Sequence, residues 1–280
     1  MTGESRSSAR ETGRADVELA EITLKEVQDG HFSTAIIPIG SCEVHGVHLP
    51  YGSDTIIALG LARRVANLVP GVLIAPPIAY GMSWHHGDLP MTLSFSPATV
   101  VSALLDVAKS LLSHGFRQIL VINGHDGNVS PIEIAARSFR QETGANLLAF
   151  PTWWEAIPKL VPAGRFEAWD GYGHGGEAET SLNLASRPEL VHQERIEGDE
   201  LFVPLEFDPL QVRYYGHFGE HSRSGYCGDA SKASIAKGDE ALDAMAQHIA
   251  GFLQDAARTG VGWTTGRPDW VAAPPTASAR

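Results

Sequence analysis

Continuous apolar runs alternate with amphipathic segments along most of the chain. Four of these runs predict strands buried on both faces, because their apolar residues are not interrupted by polar ones. We expect strands at residues 34–39, 72–75, 118–122 and 147–150. Apolar residues at helical spacing predict α-helices at residues 55–68, 97–114, 130–143, 178–185 and 231–254. This alternation of strands and helices favours an α/β fold with a mostly parallel sheet covered on both faces.

The helix predicted at residues 97–114 has the clearest boundaries. Ser96 is a suitable N-cap and Pro97 suits the first helical turn. Gly115 follows the last apolar position and is expected to end the helix.

Acidic residues and histidines follow the first predicted strand. Glu43 and His45 are two residues apart, so extended backbone directs both side chains to the same face. Asp54 can return to that face across a turn at Pro50 and Gly52. Carboxylate oxygen with imidazole nitrogen suits zinc, manganese or iron. A polar loop with ordinary histidines explains this segment alone equally well.

Two further polar clusters are expected at the same rim of the sheet. Residues 123–128 follow a predicted strand and contain His125, and residues 173–180 open a helix and contain Glu177. Ligands of such sheets bind beyond the carboxyl ends of the strands. Two divalent cations held by three carboxylates would keep a net positive charge, which favours deprotonation of a bound water. Asp54 could bridge the two cations, with His45 and His125 on different ones.

Three sequence blocks in this order resemble the creatininase family of metal-dependent amidohydrolases. They are Gly-Ser-x-Glu-x-His-Gly-x-His-Leu-Pro followed by Asp54, Asn-Gly-His-x-Gly-Asn at 123–128, and His-x-Gly-Glu-x-Glu-Thr-Ser at 174–181. The resemblance covers most of residues 34–254. It implies a three-layer α/β/α sandwich and two divalent metal ions, commonly zinc or manganese. It also implies hydrolysis of carbon-nitrogen bonds in small cyclic or formyl amides, with some relatives acting on peptides or cyclic ketones. Homo-oligomers, often hexamers, are implied as well.

Carried over position by position, the resemblance assigns the metal ligands and a catalytic histidine. The ligands fall on Glu43, His45, Asp54, His125 and Glu177. His174 falls on the catalytic histidine, which suits a proton shuttle to the leaving nitrogen, although a helix-capping role is an alternative. In creatininase itself a glutamate replaces Gly127, and the glutamate found here as Glu177 is absent, so creatinine is a less suitable substrate for this chain.

Other residues are weaker candidates for contact with the substrate. They are His48, Trp84, His85, Trp153 and Trp154. Aromatic rings can stack on a flat substrate, but a polar loop or ordinary packing would look the same in sequence. Glu179 is expected to be structural, because residues two apart on a helix face different directions.

Length and charge limit the organisation and the partners of the chain. We expect a single domain at residues 15–271, with mobile tails at 1–14 and 272–280. The net charge of −12 argues against nucleic-acid and anionic-membrane partners. No run suits a signal peptide or a membrane span, and the cysteines Cys42 and Cys227 are expected to be reduced, so a cytoplasmic location is predicted.

The function expected from these features is hydrolysis of an amide, cyclic amide or formamide bond of a small molecule by a metal-bridged hydroxide. Two alternatives stay open at this point. One is a peptidase that trims a small precursor peptide, and the other is a non-catalytic scaffold that only binds metal.

Overall fold

A parallel sheet of four strands forms the centre of the structure, a computed structural model that describes residues 17–196 and 216–259. The strands are β1 (Thr34–Ile39), β2 (Val72–Ile74), β3 (Gln118–Asn123) and β4 (Leu148–Phe150), in the spatial order β2-β1-β3-β4. All four predicted strands are present, within one residue at each end. The predicted tails lie outside the described residues, and the single-domain assignment stays a prediction.

Residues of β1 alternate between two hydrophobic cores. Ile36 packs into one core with the helices at residues 53–68, 177–186 and 235–259, whereas Ala35 and Ile37 pack into the other with the helices at residues 97–113 and 129–143. Every residue of β1 is buried, as expected for a parallel strand covered on both sides. The structure is therefore a three-layer α/β/α sandwich, as predicted.

The helices are α1 (Leu24–Asp29), α2 (Ser53–Leu68), α3 (Pro97–Ser113), α4 (Val129–Thr143), α5 (Trp153–Leu160), α6 (Glu177–Ser186) and α7 (Ile235–Thr259). The short helices α1 and α5 were not predicted from the sequence. Helix α2 begins two residues earlier than expected, which places Asp54 in its first turn. Ser96 caps α3 by accepting a hydrogen bond from the Thr99 N–H, as predicted, and Gly115 adopts a φ of +94° just after the helix end.

None of the helices in the described part of the chain combines the length and apolar character required to cross a membrane.

Helices α6 and α7 make a close backbone contact at Gly238. A Cβ atom at this position would lie 1.9 Å from the Ser181 carbonyl oxygen and 2.8 Å from the Ala185 Cβ. The two helices can therefore keep their present distance only with glycine at this position.

We expect Gly238→Ala to lower the free energy of unfolding by about 1–3 kcal/mol, because α6 and α7 must separate to admit the methyl group. Gly251→Ala is the matched control on the same helix, since a Cβ there would meet nothing within 4 Å. Gly251→Ala should be neutral or stabilise the protein by up to about 1 kcal/mol, because alanine favours helix over glycine. Urea unfolding measures both changes, and equal effects of the two substitutions would contradict this packing account.

Candidate metal centre

The strand order creates a crevice between β1 and β3. The chain leaves β1 toward β2 on one side and then crosses to β3 on the other side. Loops at the carboxyl ends of β1 and β3 therefore diverge and leave space between them. Glu43 follows β1 and His125 follows β3, so the topology brings these two residues to one place.

Two asparagines fix the loop that carries His125. The Asn128 amide donates to the Gly40 carbonyl (2.9 Å) and accepts from the Met82 N–H (3.0 Å). The Asn123 side chain accepts from the His125 N–H (3.1 Å) and donates to the His125 carbonyl (2.6 Å). These bonds satisfy buried backbone groups and hold His125 in a fixed position.

Asp54 lies between two buried histidines. Its Oδ1 is 3.2 Å from His45 Nε2, and its Oδ2 is 3.2 Å from His125 Nδ1. Glu43 Oε1 lies 3.3 Å from the same nitrogen of His125, and Glu179 Oε1 lies 3.3 Å from the same nitrogen of His45. The side chains thus form two groups of two carboxylates and one imidazole, which share Asp54.

Backbone carbonyls orient both imidazoles. His45 Nδ1 is 3.1 Å from the Glu43 carbonyl, and His125 Nε2 is 3.0 Å from the Met82 carbonyl. A carbonyl can only accept, so in each ring this nitrogen carries a hydrogen. The opposite nitrogen of each ring faces two carboxylates. Histidine ligands of metals commonly have this arrangement.

Glu43 shows that the centre suits a cation. Its side chain is fully buried, and neither carboxylate oxygen has a hydrogen-bond partner. Burial favours the neutral acid, but the facing His125 outweighs this effect and holds the pKa of Glu43 below its ordinary value. A buried carboxylate without hydrogen bonds is costly unless a positive charge is nearby. Oxygen and nitrogen donors together suit a divalent transition metal.

The predicted ligand Glu177 is turned away from this centre. Its Oε1 accepts a hydrogen bond from Lys237 Nζ (2.5 Å), and its Oε2 accepts from the N–H groups of Glu167 (2.8 Å) and Ala168 (2.6 Å). The expectation that Glu177 holds metal is therefore wrong for this structure. Residues two apart in a helix point about 200° apart, and it is Glu179 that faces His45.

Gly127 explains why the third carboxylate comes from α6. A Cβ at this position would lie 2.0 Å from the Met82 carbonyl oxygen and 2.6 Å from His125 Nε2. No side chain fits there without displacing the loop, so a glutamate at this position is excluded in this chain. Glu179 supplies the carboxylate instead.

His174 lies beside the two carboxylate groups. Its Nε2 is 2.6 Å from the Val44 carbonyl and 3.9 Å from Glu43 Oε1. Its ring stacks on those of His45 (4.2 Å) and His86 (4.4 Å). Burial, together with the nearby His45, lowers the pKa of His174 below its ordinary value. His174 is therefore neutral near pH 7.

A cavity of about 300 Å³ opens onto this centre. It is lined by Glu43, Asp54, His85, His86, Gly124, His125, Asp126, Trp153, Trp154, Tyr172, Gly173, His174, Glu179, Phe218 and Cys227. No lysine or arginine is found among the lining residues of the described chain. The acidic donors are therefore not neutralised by a fixed cationic side chain from the cavity wall.

Three of the five weaker candidates line the cavity, namely His85, Trp153 and Trp154. The other two do not. His48 is buried, with its Nε2 3.0 Å from both the Gly175 carbonyl and the Thr180 hydroxyl, so it braces the start of α6. Trp84 is 56% exposed on the surface. The side chain of His48 is thus directed away from the cavity, which contradicts its predicted contact with substrate, whereas contact by Trp84 stays a prediction.

Three further residues line the cavity, and two of them, Phe218 and Cys227, were not expected there from the sequence. His86 Nε2 is 3.4 Å from Glu43 Oε1, and burial lowers the pKa of His86 to about 2. Its position next to His85 in the sequence makes His86 a possible lining residue as well. Phe218 packs on the rings of His86 and His174, but it lies in a segment without periodic pattern. Cys227 accepts a hydrogen bond from the His174 N–H, and no metal-ligand spacing in the sequence marks it.

Comparison with protein families gives a match over most of the described chain. The profile named Creatininase, described as creatinine amidohydrolase, matches residues 20–253. The mycofactocin precursor peptide peptidase of Mycobacterium ulcerans (strain Agy99) is 32% identical over 217 residues, which are 72% of this chain and 77% of the relative. The creatinine amidohydrolase of Pseudomonas putida is 30% identical over 239 residues, which are 79% of this chain and 88% of the relative. The 3-dehydro-scyllo-inosose hydrolase of Thermotoga maritima is 29% identical over 265 residues, which are 84% of this chain and 81% of the relative.

Solved structures share the fold. A candidate creatinine amidohydrolase from Bacteroides fragilis NCTC 9343 superposes with a TM-score of 0.74 at 25% identity, covering 88% of this chain and 98% of that one. A zinc-zinc form of a mutant creatininase superposes with a TM-score of 0.65 at 29% identity, covering 85% of this chain and 97% of that one. A manganese form of creatininase superposes with a TM-score of 0.64 at 28% identity, covering 85% of this chain and 98% of that one.

The centre predicts how metal removal changes stability with pH. In the metal-free protein the facing carboxylates overcome the effect of burial and raise the pKa of His45 and of His125 well above 6.5. The stabilising contribution of the protonated rings is complete below pH 6.5 and is lost as pH rises through the raised values. Glu43 and Asp54 have lowered pKa values, so their contribution is already complete above about pH 5.

Metal binding requires neutral imidazoles and strengthens as pH rises. We therefore expect the difference in Tm between zinc-loaded and EDTA-treated protein to widen from about pH 6 to about pH 8. Thermal unfolding at several pH values measures this difference. A difference that stays constant or narrows would contradict the assignment of these histidines to a metal centre.

Proposed function

Because the chain belongs to the creatininase family of hydrolases, we propose that it is a dinuclear metal-dependent amidohydrolase that cleaves a carbon-nitrogen bond of a small molecule. The observation that carries this proposal is the position of Asp54, whose two carboxylate oxygens face two different imidazoles. A carboxylate placed in this way can bridge two cations.

In this proposal each cation has its own donors besides Asp54. Glu43 and His125 would hold one cation, and His45 and Glu179 would hold the other. Zinc and manganese are favoured by the mixed donor set and by the zinc and manganese forms of related creatininases, and iron is a third option. When bound, such ions lower the pKa of water and polarise a carbonyl oxygen.

His174 is proposed as the residue that moves the proton. Its Nε2 donates to the Val44 carbonyl, which leaves Nδ1 to exchange a proton. Because the ring is neutral near pH 7, it first accepts a proton from the attacking water and then delivers it to the leaving nitrogen. The bond to Val44 keeps the ring from rotating between these two steps.

The indole walls are proposed to orient a flat amide. Trp153 Nε1 donates to the Gly124 carbonyl (3.0 Å), so this ring has a fixed position. Trp154 meets it edge-to-face, with ring centroids 5.4 Å apart. A planar ring stacked against these walls would present its carbonyl to the cations that the carboxylate groups would hold. A cavity of about 300 Å³ suits a substrate of metabolite size.

Metal analysis with a substrate screen tests the proposal. Wild-type protein should bind about two zinc or manganese ions per chain and hydrolyse a member of a panel of cyclic amides and formamides. Asp54→Asn should lose metal and lower kcat at least about 10³-fold, since metal activation of water contributes several kcal/mol. Glu189→Gln is the control, because Glu189 is exposed and pairs with Arg187 outside the cavity. Full turnover by metal-poor Asp54→Asn would contradict the proposal.

Replacement of His174 tests the proton-transfer role separately. His174→Gln should keep both metal ions and lower kcat by about 10²–10⁴-fold, the usual contribution of a general acid-base residue. One limb of the pH profile of kcat should disappear, because glutamine does not titrate. Metal analysis and the pH profile of the same preparation measure both effects. An unchanged profile would show that another group moves the proton.

A peptidase is the second candidate, favoured by the 32% identity to the mycofactocin precursor peptide peptidase of M. ulcerans. The cavity would then admit only the end of a peptide. Short peptides in the same panel distinguish the candidates, since a peptidase should cleave them faster than cyclic amides. A folded protein that binds metal but cleaves neither class would instead support the scaffold alternative.

We also propose a homo-oligomer, with a hexamer as the family resemblance suggests, and a cytoplasmic location. Exposed apolar side chains on two hydrogen-bonded segments support self-association, namely Val47, Tyr51, Met91 and Leu93. Both cysteines are free thiols, which suits a reducing compartment.

A further inference from the structure

A buried ion pair lies at the first turn of α6, outside the cavity. Lys237 Nζ is 2.5 Å from Glu177 Oε1 and 2.9 Å from Glu167 Oε1, and it donates to the Lys232 carbonyl (3.0 Å). The Glu177 side chain is fully buried, and that of Lys237 is 9% exposed. All three ammonium hydrogens therefore have acceptors.

The same carboxylate also joins a third segment to this turn. Glu177 Oε2 accepts from the N–H groups of Glu167 and Ala168, which precede the short helix Trp169–Gly171. The Glu177 side chain thus ties α6 to α7 through Lys237 and to the loop at residues 167–168. Gly176, the N-cap of α6, has no side chain that could anchor the helix start instead.

Glu179 lies two residues further along the same helical turn. Its Oε2 accepts from the Gly175 N–H (2.6 Å), and its Oε1 faces His45 Nε2 at 3.3 Å. Rotation of the turn about the helix axis would move Glu179 away from His45, because both side chains belong to one rigid helical unit. A contact that fixes Glu177 in this turn therefore also acts on the direction of Glu179.

We infer that Glu177 and Lys237 form a positioning pair that sets the rotation of α6 and so holds Glu179 against His45. This inference rests on the proposed metal centre. A buried ion pair is a weak source of stability compared with an apolar pair of the same size, so its specific geometry is the more informative feature. Neither residue contacts the cavity.

Zinc binding to the purified full-length chain tests the inference without a substrate. Metal-free protein is titrated with zinc against a chromophoric chelator, at a temperature where circular dichroism shows every variant to be folded. Lys237→Met should weaken one of the two zinc-binding steps at least about tenfold, the usual effect of losing a group that supports a ligand. Lys237→Arg retains the positive charge and should bind within about threefold of wild type.

Arg64→Met is the matched control for a lost ion pair on α7. Arg64 pairs with Asp239 and Asp243 of that helix. It lies ten residues along α2 from Asp54, about 15 Å of helix. This variant should lower Tm and leave both zinc affinities unchanged.

The outcomes separate positioning from general stability. Lys237→Met with a lowered Tm and wild-type zinc affinity would overturn the inference, as would equal losses of affinity in Lys237→Met and Arg64→Met. If Lys237→Met does not fold, Glu177→Gln carries the test, because it removes the charge and keeps the shape. Glu177→Gln should show the same tenfold loss, and wild-type affinity would overturn the inference. Wild-type protein that binds no zinc would overturn the proposed metal centre itself.

Discussion

The arrangement of this site depends on one constraint, the cost of burying three carboxylates around two imidazoles. Glu43, Asp54 and Glu179 are all removed from water, and removing a charge from water is costly unless an opposite charge lies close by. In the metal-free chain the protonated rings of His45 and His125 supply this charge, and the facing carboxylates raise the pKa of each ring despite burial. Protons and metal ions therefore compete for the same two nitrogens. Two divalent cations would leave one net positive charge, which suits activation of water.

The fold supplies this constraint through its topology. The reversal of strand order between β1 and β3 opens the crevice, and the loops that follow these strands carry Glu43 and His125. Asp54 reaches the same point from the first turn of α2, where a carboxylate is also favoured by the helix dipole. Backbone carbonyls then set the orientation of both imidazoles. The donors thus come from separate elements, and the backbone around each donor fixes its position.

Strands and most helices follow from local pattern, and four predicted ligand positions, Glu43, His45, Asp54 and His125, do meet in the structure. These residues adjoin strand ends or a turn, where sequence spacing largely determines direction. The error at Glu177 has a different origin. Spacing shows that residues 177 and 179 face apart, but it does not show which one faces the cavity. That choice depends on the rotation of α6, and Lys237, 60 residues away in sequence, donates to the other carboxylate, that of Glu177. His48 was misassigned for a related reason, because its partners are also distant.

The histidines at the cavity and beside it fall into two groups according to their neighbours. His45 and His125 each face two carboxylates, which outweigh burial and favour the charged ring. His85, His86 and His174 are buried largely against other rings, so burial dominates and keeps them neutral. Only a neutral imidazole can accept a proton near pH 7. This difference supports the proposed roles, in which His45 and His125 bind cations and His174 transfers a proton, although all five rings are connected by ring contacts.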